Sequence, residues 1–231
     1  MLFDTSHSLR THLQTIADPA YAAFSVRLIP DLKREFLGVR IPALRQLARQ
    51  MAKAHAPQAL DTILCGQSQE EVMLRGLVIG YAPMQWEEFA QRVNGYVPLI
   101  DNWAVCDTVC TSLTLVRSHC EEGWQLLQPH WESQETYRQR FGIVMLMDHY
   151  LNEVYSQQVL EVLRRLRPNG YYAAMAAGWA LQAAFVRWPE QTMTVLADNE
   201  TDGEVRRLAR KKLLESLRTP AEWRKRIKRL P

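Results

Sequence analysis

The sequence predicts an all-α protein, built as an α-solenoid of HEAT-like antiparallel helix pairs with a concave binding face. Three observations carry this. Apolar residues recur at helical spacing in segments of 10 to 18 residues. The few glycines and prolines fall mostly between those segments. No run of alternating residues flanked by turn signals suggests a strand or a hairpin. Short links between many helices favour pairs stacked in series. No strict sequence period is visible, so any repeat is degenerate, and an irregular helical bundle is the alternative.

The helices follow in order. In "GVRIPALRQLARQMAKAH", Pro42 suits the first helical position, and Leu44, Leu47, Ala48 and Met51 follow at i, i+3, i+4, i+7. "SQEEVMLRGLVIGYA" opens with a serine cap at Ser68 and glutamates in its first turn. "PMQWEEFAQRVNGY" starts at Pro83 and stops near Asn94 and Gly95. Further helices are expected near 102–117, 121–131, 134–150, 152–166, 171–187, 189–197, 203–217 and 220–229. No low-complexity segment or long linker interrupts them, so residues 1–231 are expected to form one domain.

Composition narrows the class. Hydrophobic residues make up 47% of the 231 positions and charged residues 23%, enough for a sizeable core and against disorder. The opening "MLFDTSHSLRTHLQ" lacks a secretory pattern, and no apolar run is long enough to span a membrane, so a cytoplasmic protein is expected. Cys65, Cys106, Cys110 and Cys120 show no metal-ligand spacing, and no metal site or cofactor is expected. Cys106 and Cys110, at i,i+4, read as packing residues. His119, His130 and His149 lie in no catalytic motif, and neither a P-loop nor a dinucleotide fingerprint occurs.

Charge is unevenly spread. From Arg206 to Pro231 there are eleven Lys and Arg against two Asp and Glu, whereas the first 205 residues hold 17 against 23. The basic C-terminal helices, 203–229, suit an anionic partner or form a solvated amphipathic surface.

"DNWAVCD", residues 101 to 107, poses a sharper question, because a helix there sets a tryptophan and an aspartate on one face. On a wheel, Asp107 falls about 40° from Trp103, and Cys110 and Thr114 fall about 20° to either side of it. Val105, Val109, Leu113 and Val116 take the opposite side. Either the Trp103 and Asp107 face packs on a neighbouring helix, with the acid satisfied by an arginine, or it forms an aromatic wall with a carboxylate in a groove. In "YRQRFGIVMLMDHY", Arg140 precedes an apolar run and needs an anion, either a carboxylate or a bound phosphate. In "GYYAAMAAGWALQAAFVRW", Ala174, Gly178, Leu181 and Phe185 form one stripe, and Trp179 lies on another with Tyr172, Ala176 and Ala183. The small residues serve either a cleft wall or close helix packing.

"LGVRIPALRQLAR" (37–49), "EEVMLRGLVIGY" (70–81), "NWAVCD" (102–107), "RQRFGIVMLM" (138–147) and "YYAAMAAGWAL" (171–181) together resemble the AlkD-like DNA alkylation repair proteins. These are alkylpurine DNA glycosylases built from HEAT-like repeats. The resemblance implies Asp107 as the catalytic carboxylate, Trp103 and Trp179 as aromatic walls, and Arg140 as the contact to the DNA backbone near the lesion. It implies double-stranded DNA as the partner, with a monomer the expected state. Arg206, Arg207, Arg210, Lys211 and Lys212 are then the candidate phosphate contacts. It also implies action without a deep base pocket, unlike the usual base-flipping enzymes. The sequence departs from the family pattern at Ala104, where an acidic residue is common, and at Ile29, the nearest equivalent of an expected aromatic, with Tyr21 and Phe24 further off. A non-catalytic DNA-structure-binding protein, or a protein-interaction scaffold on the same fold, is the alternative.

Overall fold

The computed structural model describes residues 3–29, 32–54 and 61–230. His55, the last residue of one expected helix, and Pro231 of the basic segment lie outside them. Among the described residues every regular element is helical and no strand occurs, so the all-α class holds. None of these helices is long and apolar enough to cross a membrane. The chain divides into two compact units, Met1–His119 and Cys120–Pro231.

In the first unit, helices α1 (Ser6–Thr15), α2 (Pro19–Val26), α3 (Ile41–Ala54), α4 (Gln69–Tyr81), α5 (Trp86–Tyr96) and α6 (Trp103–Cys110) follow in order, with 3-10 turns at Val97–Leu99 and Thr114–Arg117. Helix α4 packs against α3, α5 and α6. Its start is as the sequence predicts. Ser68 accepts from the Glu71 N–H while the Glu71 carboxylate accepts from the Ser68 N–H, a reciprocal capping box. Helix α5 starts three residues later than expected, at Trp86, and runs on to Tyr96.

The helix expected over 102–117 ends at Cys110. The cause is local. The Ser112 hydroxyl donates to the Val109 carbonyl at 2.7 Å, and the Thr111 hydroxyl donates back to Thr108. Such short polar side chains compete with the helical ladder for backbone acceptors. Leu113 leaves the helical region (φ −78°, ψ 55°), and the chain resumes as a 3-10 turn. The wheel positions assigned to Leu113, Thr114 and Val116 are therefore void, although Leu113 and Val116 are still buried.

The second unit contains α7 (Cys120–Trp131), α8 (Thr136–His149), α9 (Ser156–Arg165), α10 (Tyr171–Phe185), α11 (Pro189–Ala197), α12 (Gly203–Glu215) and α13 (Ala221–Lys228). Helices α8, α10 and α12 pack side by side, and each also packs on the helix before it. Helices α9 and α11 touch in the other layer. Links this short force consecutive neighbours to run antiparallel, which gives paired, two-layer stacking of the HEAT-like kind. Helix α8, covered by α7 and α10, is buried without a break from Gln139 to Met147. Between α10 and α12 the approach is close at Gly178, where a Cβ would lie 3.0 Å from the Ala209 nitrogen.

His130, at the end of α7, is buried with its ring edge-on to Phe141, and its Nδ1 accepts from the Arg138 Nε at 3.2 Å. Burial, and secondarily the Arg138 charge, push its pKa down from 6.5 to about 4. The unfolded chain thus takes up a proton near pH 6.5 that the folded protein excludes until about pH 4. Stability should fall as pH drops through this window, by up to about 3 kcal/mol. Urea unfolding at pH 7 and 4.5 checks this, and His130→Asn should flatten the difference between the two.

Candidate active site

Helix α6 begins at a side-chain cap. The Asn102 Oδ1 accepts from the Ala104 and Val105 N–H groups at 3.0 and 3.1 Å. Trp103 is the first helical residue, and its indole Nε1 donates to the Leu28 carbonyl at 3.2 Å. Asp107 follows one turn later. Val105, Cys106, Val109 and Cys110 are buried, while Trp103, Ala104, Asp107 and Thr108 are half-buried. The face that the sequence set apart from the core is indeed the more open one. Cys110, placed near Trp103 on the wheel, belongs instead to the buried arc.

That open face is one wall of a pocket of about 200 Å³. Tyr21 and Phe24 of α2, Ile29, and Phe36 and Val39 of the segment before α3 supply the other walls. Tyr21 and Phe36 contact each other, with ring centroids 6.0 Å apart, and the Arg40 guanidinium lies over Tyr21 at 5.0 Å. Phe24 and Leu28 form an apolar rim, 55% and 50% exposed. Tyr21 and Phe24, which sequence spacing set further off, thus line the pocket alongside Ile29. Phe36 was not singled out, although it stands directly before the "LGVRIP" segment.

Two carboxylates border the pocket, and their surroundings differ. Glu70, fully buried at the start of α4, accepts from three consecutive N–H groups: Leu37 at 3.0 Å, Gly38 at 2.7 Å and Val39 at 3.1 Å. Burial pushes its pKa up, and these bonds oppose the rise. The loop requires Gly38, whose φ is +101° and whose Cβ, if present, would lie 2.5 Å from the Asp18 carbonyl oxygen. Glu70 is therefore committed to holding backbone. Asp107 lies half-buried on the pocket wall beside Trp103. From the far side, Arg45 of α3 donates to the Thr108 carbonyl at 2.8 Å, to Thr111 Oγ1 at 2.9 Å and to the Tyr81 hydroxyl at 3.0 Å. It places a cation at the carbonyl end of α6, where the helix dipole favours one.

Arg140 and Trp179 belong to the second unit. Arg140 is 4% exposed, and its Nη1 donates to the Tyr172 carbonyl at 2.8 Å, in the first turn of α10. Tyr172 stacks on Tyr137. Along α10 the stripe of Ala174, Gly178, Leu181 and Phe185 is buried, while Tyr172, Trp179 and Ala183 stay half-buried. Ala176, assigned to the Trp179 stripe, is buried. The small residues do serve close packing, but on the Gly178 face; the Trp179 indole is on the more open one.

The basic residues of α12 lie at its surface, with Arg207 and Lys211 exposed and Arg206, Arg210 and Lys212 half-buried. Arg207 grips Glu204 with two bonds at 2.6 and 2.7 Å, Arg206 donates to Asn199, and Lys211 is 4.0 Å from Glu215. Pairs this exposed are worth little and exchange readily for another anion. Arg224 differs: it donates to the Leu214, Ser216 and Thr219 carbonyls and closes the C-terminal end of α12.

An all-helical protein with a carboxylate on the wall of an aromatic pocket and a basic surface helix is of a class suited to DNA. The comparison with known families makes this definite: residues 9–218 match the model of the DNA alkylation repair enzymes, and the chain belongs to that family. No match was found among curated proteins or solved structures.

The Glu70 anchor is directly testable. Glu70→Gln replaces a charged acceptor of three N–H groups with a neutral amide whose own N–H₂ opposes them. A loss of about 2–4 kcal/mol is expected, read as a lower thermal midpoint.

Proposed function

We propose that this protein is a DNA glycosylase that hydrolyses the N-glycosidic bond of cationic N3- and N7-alkylpurines in duplex DNA. On this reading residues 1–231 work as one HEAT-like domain, a cytoplasmic monomer acting on the duplex. The observation that carries it is the half-buried Asp107 beside Trp103 on the wall of an aromatic pocket.

The chemistry suits these groups. An alkylated purine already carries positive charge and departs with the bonding electrons as a neutral base, so it needs no strong general acid. Positive charge then builds on the sugar, and a water must reach C1′. A fixed carboxylate at Asp107 stabilises that charge and orients the water. Trp103 supplies an indole wall that attracts the cationic base by roughly 0.5–2 kcal/mol; the family resemblance assigns the same role to Trp179 of the second unit. The family resemblance assigns Arg140 to the DNA backbone beside the lesion, a role that its burial and its bond to the Tyr172 carbonyl oppose, while Arg206, Arg207, Arg210, Lys211 and Lys212 contribute sequence-independent phosphate attraction.

Base release from methylated duplex tests the assignment. Asp107→Asn should lower the single-turnover rate about 10²–10³-fold with DNA affinity retained. Equal rates for variant and wild type would remove Asp107 from the mechanism. If both bind DNA and neither releases base, the protein is a DNA-structure binder.

The phosphate assignment has its own measurement. Replacing Arg206, Arg207, Arg210, Lys211 and Lys212 by alanine should make log K against log[salt] shallower by up to about 4.5, or 0.9 per lost contact. An unchanged slope would place the phosphate contacts elsewhere.

A further inference from the structure

Two polar side chains lie sealed in the first unit next to the pocket: Gln69, 0% exposed, and Asn102, 1% exposed. Their amides face each other. The Gln69 Nε2 donates to Asn102 Oδ1 at 3.0 Å, and the Asn102 Nδ2 donates to Gln69 Oε1 at 3.0 Å. Asn102 has no capacity to spare: its oxygen also accepts from the Ala104 and Val105 N–H groups, and its nitrogen also donates to the Asp101 carboxylate. The Gln69 backbone N–H donates to the Glu35 carbonyl at 2.8 Å.

Buried amides stabilise a core little compared with apolar side chains of the same volume, once their desolvation is counted. What a reciprocal pair adds is direction. Two apolar side chains tolerate sliding and rotation, whereas two paired hydrogen bonds fix both. Here the fixed object is the N-cap of α6, the residue directly before Trp103. The next residue of α4, Glu70, points elsewhere because successive helical positions diverge by about 100°. It holds the backbone of Leu37, Gly38 and Val39. Adjacent residues in one helical turn thus hold opposite walls of the same pocket.

We propose that Gln69 and Asn102 are positioning residues of this pocket, their reciprocal amide pair setting the placement of Trp103 and Asp107 through the first turn of α6. The inference rests on the glycosylase reading only for its rate measurement.

Two variants test it in the full chain. Gln69→Met keeps the volume and removes both bonds, with the Asn102 oxygen still capping α6. Asn102→Ser keeps a capping oxygen and loses the reach to Gln69. Three quantities are compared with wild type: the NMR signal of the Trp103 indole N–H, hydrogen exchange at Ala104–Asp107 against exchange in α5, and single-turnover base release with the DNA Kd. The expected result is a displaced indole signal and faster exchange at 104–107 with α5 unchanged. Base release should slow about ten- to a hundredfold, with Kd retained. An unmoved indole signal and unchanged exchange in whichever variant folds would overturn the proposal. So would uniform loss of protection across the first unit, which marks a purely stabilising role. If the wild type itself releases no base, the glycosylase reading fails, and the indole and exchange results still decide the positioning role.

Discussion

Three consecutive backbone N–H groups, from Leu37, Gly38 and Val39, converge on the carboxylate of Glu70. A buried carboxylate without partners would be intolerable, and a buried loop with three unmet donors nearly so. Together they satisfy each other, and the joint fastens the segment before α3 to the first turn of α4. Phe36, Val39 and Ile41, which border the pocket, sit within or beside that segment. The positive φ of Gly38 follows from the same joint, since three N–H groups can aim at one acceptor only if the backbone bends sharply. The neighbouring Gln69 carries the constraint on to α6. The pocket is in this sense a consequence of how α4 begins.

Residues 68–71, where α4 begins, show how far sequence reasoning reaches. Ser68 and the glutamates after it were legible as a capped helix start, because caps follow from local geometry alone. That Gln69, Glu70 and Glu71 are all buried was not legible: acids in a first turn usually face water and complement the dipole, and only tertiary packing turned these inward. Trp103 and Asp107 were legible as a face distinct from the core, since one helical turn suffices to read it. The walls opposite them were not. Tyr21, Phe24 and Phe36 lie more than 60 residues away along the chain, and their approach depends on the Glu70 joint. The end of α6 at Cys110 was missed because Thr111 and Ser112 do not break an apolar pattern; their hydroxyls act by competing for carbonyls.

Arginine is used in two ways, and burial separates them. Arg45, Arg140 and Arg224 donate to backbone carbonyls from buried or half-buried positions, tying one helix to another or closing a helix end. Arg207 and Arg226 pair with single carboxylates at the surface. Arg45 and Arg224 would leave helix-end carbonyls unsatisfied if withdrawn. The second kind can trade a glutamate for a phosphate at small cost. The strong positive bias of residues 206–231 therefore overstates the charge available to a partner, because Arg224 is spent on structure.

A carboxylate near aromatic rings faces opposing demands. Apolar walls raise the cost of its charge, yet that charge is what a developing sugar cation would feel. The pocket meets both by giving its two acids different surroundings. Glu70 sits in the dry interior and is stabilised by fixed N–H dipoles, so its field is directed at the backbone. Asp107 sits on the half-buried wall, with Thr108 beside it and the exposed rim of Phe24 and Leu28 opening to solvent. An electrostatic role needs only that a substrate displace water from that opening, since the attraction between Asp107 and a cation strengthens as the local dielectric falls. On the proposed glycosylase reading, the exposed apolar rim of Phe24 and Leu28 is suited to that displacement.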